Sequence, residues 1–231
     1  MSAAAIQGAS TMFRSEIQNM SIVKGESLEY TMIATQKCTV ADLLVIRHPD
    51  NDAPERLKKV LSVPIVNAGA GVDSHPTQAL LDVFTFAERF GGSLDGKVIT
   101  FVGDSKNSRT MASFIRLVGL TTKNTRINIV APEGMKSSED RINDLKNYHK
   151  NIYETTETDE VYSKTDILYV IRPQLEWSKD LNEKEGQQKM MQPYNVDLST
   201  LQKLQSHTLI ANALPRNSEL STDLDTHKNS V

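Results

Sequence analysis

Residues 75–109 read HPTQALLDVFTFAERFGGSLDGKVITFVGDSKNSR. The stretch contains one long helix and one buried strand. Pro76–Phe90 opens on a proline suited to a first helical turn, repeats apolar residues at Leu80, Leu81, Phe84 and Ala87, and stops at Gly91-Gly92. Val98–Val102 is a short Val/Ile-rich run closed by Gly103-Asp104, the pattern of a strand buried on both faces. Outward from this pair the alternation continues. Leu43–Ile46 and Val63–Val66 precede the long helix as strand-like runs, and Ile127–Val130, Ile167–Ile171 and Thr208–Ile210 come after it. Helical patterns lie between them at Gly25–Thr35, with Ser21 or Ser27 near its start, at Met111–Val118 and at Asp140–Lys150. Glu154–Glu160 is polar and acidic and reads as a loop. Strands alternating with helices require crossover connections and hence parallel sheets. The expected fold is α/β, two doubly wound parallel-sheet domains joined by the long helix, with residues 1–76 in the first and 77–231 in the second.

Composition narrows the function classes. The chain has 231 residues, 39% of them apolar and 24% charged, with Lys plus Arg 26 against Asp plus Glu 29 and a net charge of −3. That balance excludes a generic basic nucleic-acid binder and a polybasic membrane binder. The single cysteine, Cys38, excludes an intrachain disulfide framework and a multi-cysteine zinc site. No apolar run approaches membrane-spanning length. Met1–Gln7 lacks the basic flank and apolar block of a signal peptide, so a soluble, cytoplasmic protein is expected.

In open α/β sheets ligands sit outside the carboxyl ends of the strands. Here Leu43–Ile46 is followed by Arg47-His48-Pro49, and Val63–Val66 by Asn67-Ala68-Gly69 and then His75-Pro76-Thr77-Gln78. Val98–Val102 leads to Asp104 and Arg109, Ile167–Ile171 to Arg172-Pro173-Gln174, and the last strand to Asn212-Ala213-Leu214-Pro215-Arg216. One strand-end arginine is most often half of a surface ion pair. Arg47, Arg109 and Arg172 together, with His75 and Gln78 at a helix start, suit a small polyanion. Gly103 alone does not make the G-x-G-x-x-G turn of a dinucleotide site. Neither a Gly-x-Ser-x-Gly elbow nor a Walker lysine loop occurs. Without His-x-x-x-His or Cys-x-x-Cys, no metal and no cofactor are expected.

The segment Asn67–Gly71 with His75-Pro76-Thr77-Gln78-Ala79-Leu80-Leu81-Asp82 closely resembles the aspartate/ornithine carbamoyltransferases. So do Val45–Pro49, Val102–Asp104 with Ser108-Arg109-Thr110, Asp166–Tyr169 with Arg172-Pro173-Gln174, and Leu214-Pro215-Arg216. The likeness runs from about Ala3 to Asp225. Thr77 and Ala213 stand where the ornithine branch would carry cysteines, which favours the aspartate branch. The resemblance implies transfer of the carbamoyl group of carbamoyl phosphate to the amine of L-aspartate, giving N-carbamoyl-L-aspartate and phosphate, an early step of pyrimidine biosynthesis. It implies that Arg47, His75 and Gln78 hold the carbamoyl group, with Arg47 and His75 stabilising the oxyanion. By the same resemblance Arg109, Arg172 and Gln174 clamp the aspartate carboxylates, and Leu214 offers backbone contacts near the carbamoyl amide. Lys24 matches a lysine lent to a neighbouring subunit's site, so a homotrimer with shared sites is implied.

The sequence departs from the family at several positions. The family's Ser-Thr-Arg-Thr-Arg phosphate loop has no counterpart near Ala3–Ser10, Met20 stands where a serine is expected before Lys24, and Asn212-Ala213 replaces His-Pro. The first domain is therefore expected to be incomplete, the chain to end without the family's closing helix, and activity of the chain alone to be reduced. An expectation of a different class is a non-catalytic homologue that binds a dicarboxylate or assembles with a full-length catalytic chain.

Overall fold

The computed structural model describes residues 2–12, 25–175 and 180–231. By packing, the chain divides into residues 1–46 with 52–66, and residues 47–51 with 67–231.

The first unit contains helices α1 (Ser2–Ile6), α2 (Leu28–Thr39) and α3 (Ala53–Lys58), and the beginnings of strands β1 (Leu44–His48) and β2 (Ile65–Ala70). β1 and β2 pair as a two-stranded sheet. Ser27 supplies the cap of α2, its side chain accepting from the Tyr30 amide at 3.2 Å. Leu28, Met32, Ile46, Ala53 and Leu57 form the small core. Arg56 Nε donates to Glu29 Oε1 at 2.7 Å across its edge. Apolar spacing places α2 a few residues early, and it does not reveal α3, which is too short to show a period.

The second unit runs α4 (Pro76–Arg89), β3 (Val98–Gly103), α5 (Arg109–Thr121), β4 (Arg126–Val130), α6 (Glu139–Tyr148), β5 (Ile152–Thr155), β6 (Ile167–Ile171), α7 (Leu181–Met191) and β7 (Leu209–Asn212). Its sheet is parallel throughout, in the order β5-β4-β3-β6-β7. Alternation divides the strand residues cleanly. Ile99, Phe101, Ile127, Ile129, Ile167, Tyr169, Leu209 and Ala211 join a core containing residues of α4, α5 and α6. Val102, Val130, Leu168, Val170 and Ile210 face the other way, onto Val161, Tyr162, Val196, Leu220 and Leu224. Phe86, Phe101, Phe114 and Tyr169 pack at ring-centroid distances of 5.3–6.2 Å, mostly edge to face, so the helices and sheet are locked by shape.

One expectation changes, and two features are not readable from the sequence. β5 uses Glu154 and Thr155, which read as loop; pairing with β4 puts a polar stretch at the sheet edge, where one side needs no apolar partner. α7 has almost no apolar stripe, so nothing in its spacing marks it as a helix. In α4 the buried residues are Ala79, Asp82 and Phe86, while Leu80, Leu81 and Phe84 are exposed. The helix is apolar on two faces, and tertiary packing rather than periodicity chooses the inner one.

Candidate functional site

In the order β5-β4-β3-β6-β7, chain direction across the sheet reverses between β3 and β6. Such a switch point leaves a crevice at the carboxyl ends of the two strands. The register pairs Gly103 with Ile171, so the segments beginning at Asp104 and Arg172 leave the sheet side by side. Asp104, only 2% exposed, stitches them together. Its carboxylate accepts from the Asn107 amide at 3.2 Å, from Asn107 Nδ2 at 3.1 Å and from the Gln174 amide at 3.1 Å. The backbone N–H of Gln174 is thus committed to structure, and its side chain is what remains for a ligand.

The loop after β3 feeds α5, capped by Ser108, whose Oγ accepts from the Met111 amide at 3.2 Å. Arg109 is therefore the first helical residue. A cation at a helix N-terminus is electrostatically misplaced unless an anion is to join it. Arg109 Nη1 donates to the Gly71 carbonyl at 2.8 Å. Gly69, at φ +127°, passes so close that a Cβ there would meet Arg109 Cζ at 3.5 Å and Arg47 Cγ at 3.6 Å. Arg47 and Arg109 thus come together on one side of this glycine. Among the described residues Arg47 makes no ion pair with a carboxylate.

His75 caps α4 and joins the same group. Its amide donates to Ser113 Oγ of α5 at 2.7 Å, and its Nδ1 lies 3.3 Å from Thr77 Oγ1. Partial burial and the charges of Arg109 and Arg47 hold the imidazole below its ordinary value of 6.5. The folded state favours the neutral ring. This contribution to stability is therefore complete above that value and lost as pH falls toward the folded one. An NMR titration of the ligand-free chain is expected to give His75 a midpoint below 6.5; a midpoint at or above 6.5 would contradict the geometry.

Gln78 is fixed by two residues that sequence reading passes over. Its Nε2 donates to Asp82 Oδ1 at 2.8 Å, and Asp82 Oδ2 accepts from the Tyr169 hydroxyl at 2.7 Å. The carboxylate only accepts when ionised, so the amide nitrogen of Gln78 must face it and the amide oxygen points elsewhere. Burial pushes the Asp82 carboxyl up, against the opposing hydrogen bonds from Tyr169 and Gln78. Tyr169→Phe is expected to lower stability by about 1–3 kcal/mol through the lost bond to a buried carboxyl group; urea unfolding measures it. The i, i+4 spacing of Gln78 and Asp82 is the available signal, but only the fold brings in Tyr169.

Arg141 of α6 donates to the Ser108 carbonyl at 2.8 Å and to the Val72 carbonyl at 3.4 Å, bracing the entrance of α5 against the turn that carries Gly69 and Gly71. Arg172 Nη1 donates to the Pro173 carbonyl at 3.2 Å. Leu214 is exposed, at φ 49°, and its amide donates to Asn212 Oδ1 at 2.7 Å, leaving its carbonyl available. Arg216, beside it, is held by both oxygens of Asp225. Arg47, His75 and Arg109 therefore form one cluster; Gln78 is oriented at its edge; Arg172, Gln174 and Leu214 lie at the carboxyl ends of adjoining strands. Lys24 lies outside the described residues. No group of three or more His, Cys, Asp or Glu suited to a metal occurs among the described residues.

The carbamoyl-P binding domain of the aspartate/ornithine carbamoyltransferases matches residues 1–88, and the Asp/Orn binding domain of the same family matches residues 95–231. The aspartate carbamoyltransferase catalytic subunit of Thermoplasma volcanium is 37% identical over 220 residues, covering 94% of this chain and 68% of its own length. A multifunctional protein of Schizosaccharomyces pombe is 37% identical over 206 residues, covering 89% of this chain and 9% of its own. The crystal structure of aspartate transcarbamoylase from Trypanosoma cruzi, in complex with carbamoyl phosphate and aspartate, superimposes with a TM-score of 0.85 at 32% identity, covering 99% of this chain and 72% of that one. With both family domains matched in order along the chain, the chain belongs to the aspartate/ornithine carbamoyltransferase family.

Proposed function

We propose that the cluster built on Arg47, His75 and Arg109 transfers the carbamoyl group of carbamoyl phosphate to the amine of L-aspartate. The observation that carries this is the approach of Arg47 and Arg109 to the same side of Gly69, with burial and their charges holding the His75 imidazole below its ordinary value beside them. Two cations and the N-termini of α4 and α5 make a fixed positive field, and a small dianion relieves it. The relatives support the substrate assignment: the Trypanosoma cruzi enzyme is seen with carbamoyl phosphate and aspartate.

In this reading the aspartate amine attacks the carbamoyl carbon, the C–O bond to phosphate breaks, and the amine proton leaves with the phosphate. Arg47 and His75 face the oxygen that gains negative charge. The role asked of the ring requires the tautomer with its proton on Nε2, to which Thr77 Oγ1 donates at Nδ1; the ring then gives a hydrogen bond and not a transferred proton. Gln78, oriented by Asp82, accepts from the carbamoyl amide, and the Leu214 carbonyl accepts there too. Arg109, Arg172 and Gln174 take the carboxylates of aspartate, where planar guanidinium groups bind bidentately. Residues 1–76 serve carbamoyl phosphate, and residues 77–231 serve as linking helix and aspartate domain. Lys24 completes a neighbour's site in a cytoplasmic homotrimer. The chemistry on these residues is positioning and fixed charge.

Calorimetric titration separates this from a non-catalytic dicarboxylate binder. Both carbamoyl phosphate and L-aspartate are expected to bind. Arg172→Ala is expected to weaken aspartate binding by about tenfold to a hundredfold, the range of a lost charge-assisted contact, while sparing carbamoyl phosphate. Aspartate binding with no carbamoyl phosphate binding would favour the non-catalytic reading.

A further inference from the structure

Residues 71–75 form the turn that carries His75 into the cluster. Its amides all find acceptors: Gly71 donates to the His48 carbonyl at 3.0 Å, Val72 to Asn51 Oδ1 at 3.0 Å, Asp73 and Ser74 to the Ala70 carbonyl at 3.3 and 3.2 Å, and His75 to Ser113 Oγ. Three successive carbonyls each meet a different guanidinium. Gly71 accepts from Arg109 at 2.8 Å, Val72 from Arg141 at 3.4 Å and Asp73 from Arg116 at 3.3 Å. A carbonyl on a partly exposed turn can be satisfied by water alone. Three arginines in a row do more: they fix where the turn sits.

Arg109, Ser113 and Arg116 stand at i, i+4 and i+7 of α5, on one stripe of the helix. Of the three arginines, Arg116 is the one most firmly tied to the turn. Its Nη2 donates to Asp73 Oδ1 at 3.1 Å and to Asp144 Oδ2 of α6 at 2.8 Å, and its Nη1 reaches Asp73 Oδ2 at 3.4 Å. Its Cζ lies 5.8 Å from the Tyr148 ring centroid. The planar fork thus grips both the carboxylate and the backbone carbonyl of Asp73, two residues before His75. A residue held at both points cannot rotate without moving the chain that follows it.

We propose that Arg116 is a positioning residue for carbamoyl transfer, which acts through Asp73 to hold the turn that sets the His75 ring beside Arg109. The effect on rate rests on the carbamoyl-transfer reading, whereas the placement of the ring is measurable without turnover. Asp73 and Asp144 are 44% and 47% exposed, so water replaces a lost partner and the variants below fold.

The test compares Arg116→Met, Asp73→Ala, the double variant and Asp144→Ala, each in the whole chain. Arg116→Met and Asp73→Ala are each expected to lower kcat about tenfold while changing the KM for aspartate less than about threefold, the pattern of a misplaced oxyanion donor. The double variant should lose no more than about twofold beyond Arg116→Met, because both substitutions release the same turn. Asp144→Ala breaks the other half of the ion pair and should keep kcat within about twofold. The double variant also removes one charge of each sign, so the NMR midpoint of His75 reports the position of the ring. That midpoint should rise toward 6.5 as the ring leaves its partly buried place beside Arg109 and Arg47. An unchanged midpoint, full kcat in Arg116→Met, losses that multiply in the double variant, or an equal loss in Asp144→Ala would each overturn the proposal. If the unmodified chain makes no N-carbamoyl-L-aspartate, the carbamoyl-transfer reading fails, and the midpoint still decides whether Arg116 places the ring.

Discussion

Arg47→Ala and His75→Ala are each expected to lower kcat for carbamoyl transfer by about 10²–10³, the cost of removing one donor from a developing oxyanion. Arg47 stands at the exposed end of β1, and its stem touches Gly69 rather than the core, so the substitution leaves the fold intact. His75 is different: its backbone amide holds α4 to Ser113, and that bond survives truncation of the ring. In the proposed reaction the two groups face the same oxygen, so the double substitution should cost less than the product of the singles. Arg47→Lys should recover little, because a single ammonium does not reproduce a planar fork. Steady-state kinetics at saturating aspartate, beside an unchanged unfolding transition, measure this. A loss smaller than about threefold in Arg47→Ala would remove it from the chemistry.

Gly103→Ala carries the largest expected effect on stability. The residue ends β3 at φ +126°, and a Cβ there would overlap the Ile171 carbonyl oxygen and lie 2.9 Å from its carbonyl carbon. Both are backbone atoms of the neighbouring strand, so relief requires β3 and β6 to separate where the register pairs Gly103 with Ile171. A cost of about 3–5 kcal/mol is expected, at the upper end for single substitutions. At about two to four degrees per kcal/mol, the thermal midpoint should fall on the order of 10 °C. Gly91→Ala is the comparison: φ is positive there too, at +75°, but nothing lies within 4 Å of the added Cβ. Its cost is left-handed backbone strain alone, about 1–2 kcal/mol. Equal destabilisation by the two would show that close strand approach is not what demands glycine at 103. Separation of the strands would also displace Asp104, and with it both loops it joins, so residual folded Gly103→Ala should bind aspartate poorly.

How far the residues alone reach depends on the range of the interactions. β6 is legible to the residue because a strand buried on both faces is a continuous apolar run bounded by polar residues. The strand-end arginines are legible for the same reason: strand ends are sharp, and ligands in open sheets sit against the residues just beyond them. β5 is not legible, since an edge strand carrying Tyr153 and Glu154 owes its pairing to β4 rather than to its own pattern. Asp82, Asp104 and Arg141 escape notice as supports because their partners are distant in sequence: Tyr169, Gln174 and Val72 respectively. Their burial cannot be read from spacing. The apolar stripe of α4 points to the wrong face, since Leu80, Leu81 and Phe84 keep the same helical period as the residues that are buried.

The most direct measurement is mass-spectrometric detection of N-carbamoyl-L-aspartate formed by the purified chain from carbamoyl phosphate and L-aspartate, with L-ornithine as the competing acceptor. The expected result is N-carbamoyl-L-aspartate, no citrulline, and loss of product in Arg47→Ala. A folded chain giving citrulline, or giving no N-carbamoyl-L-aspartate above the uncatalysed rate, would contradict carbamoyl transfer to aspartate by this site.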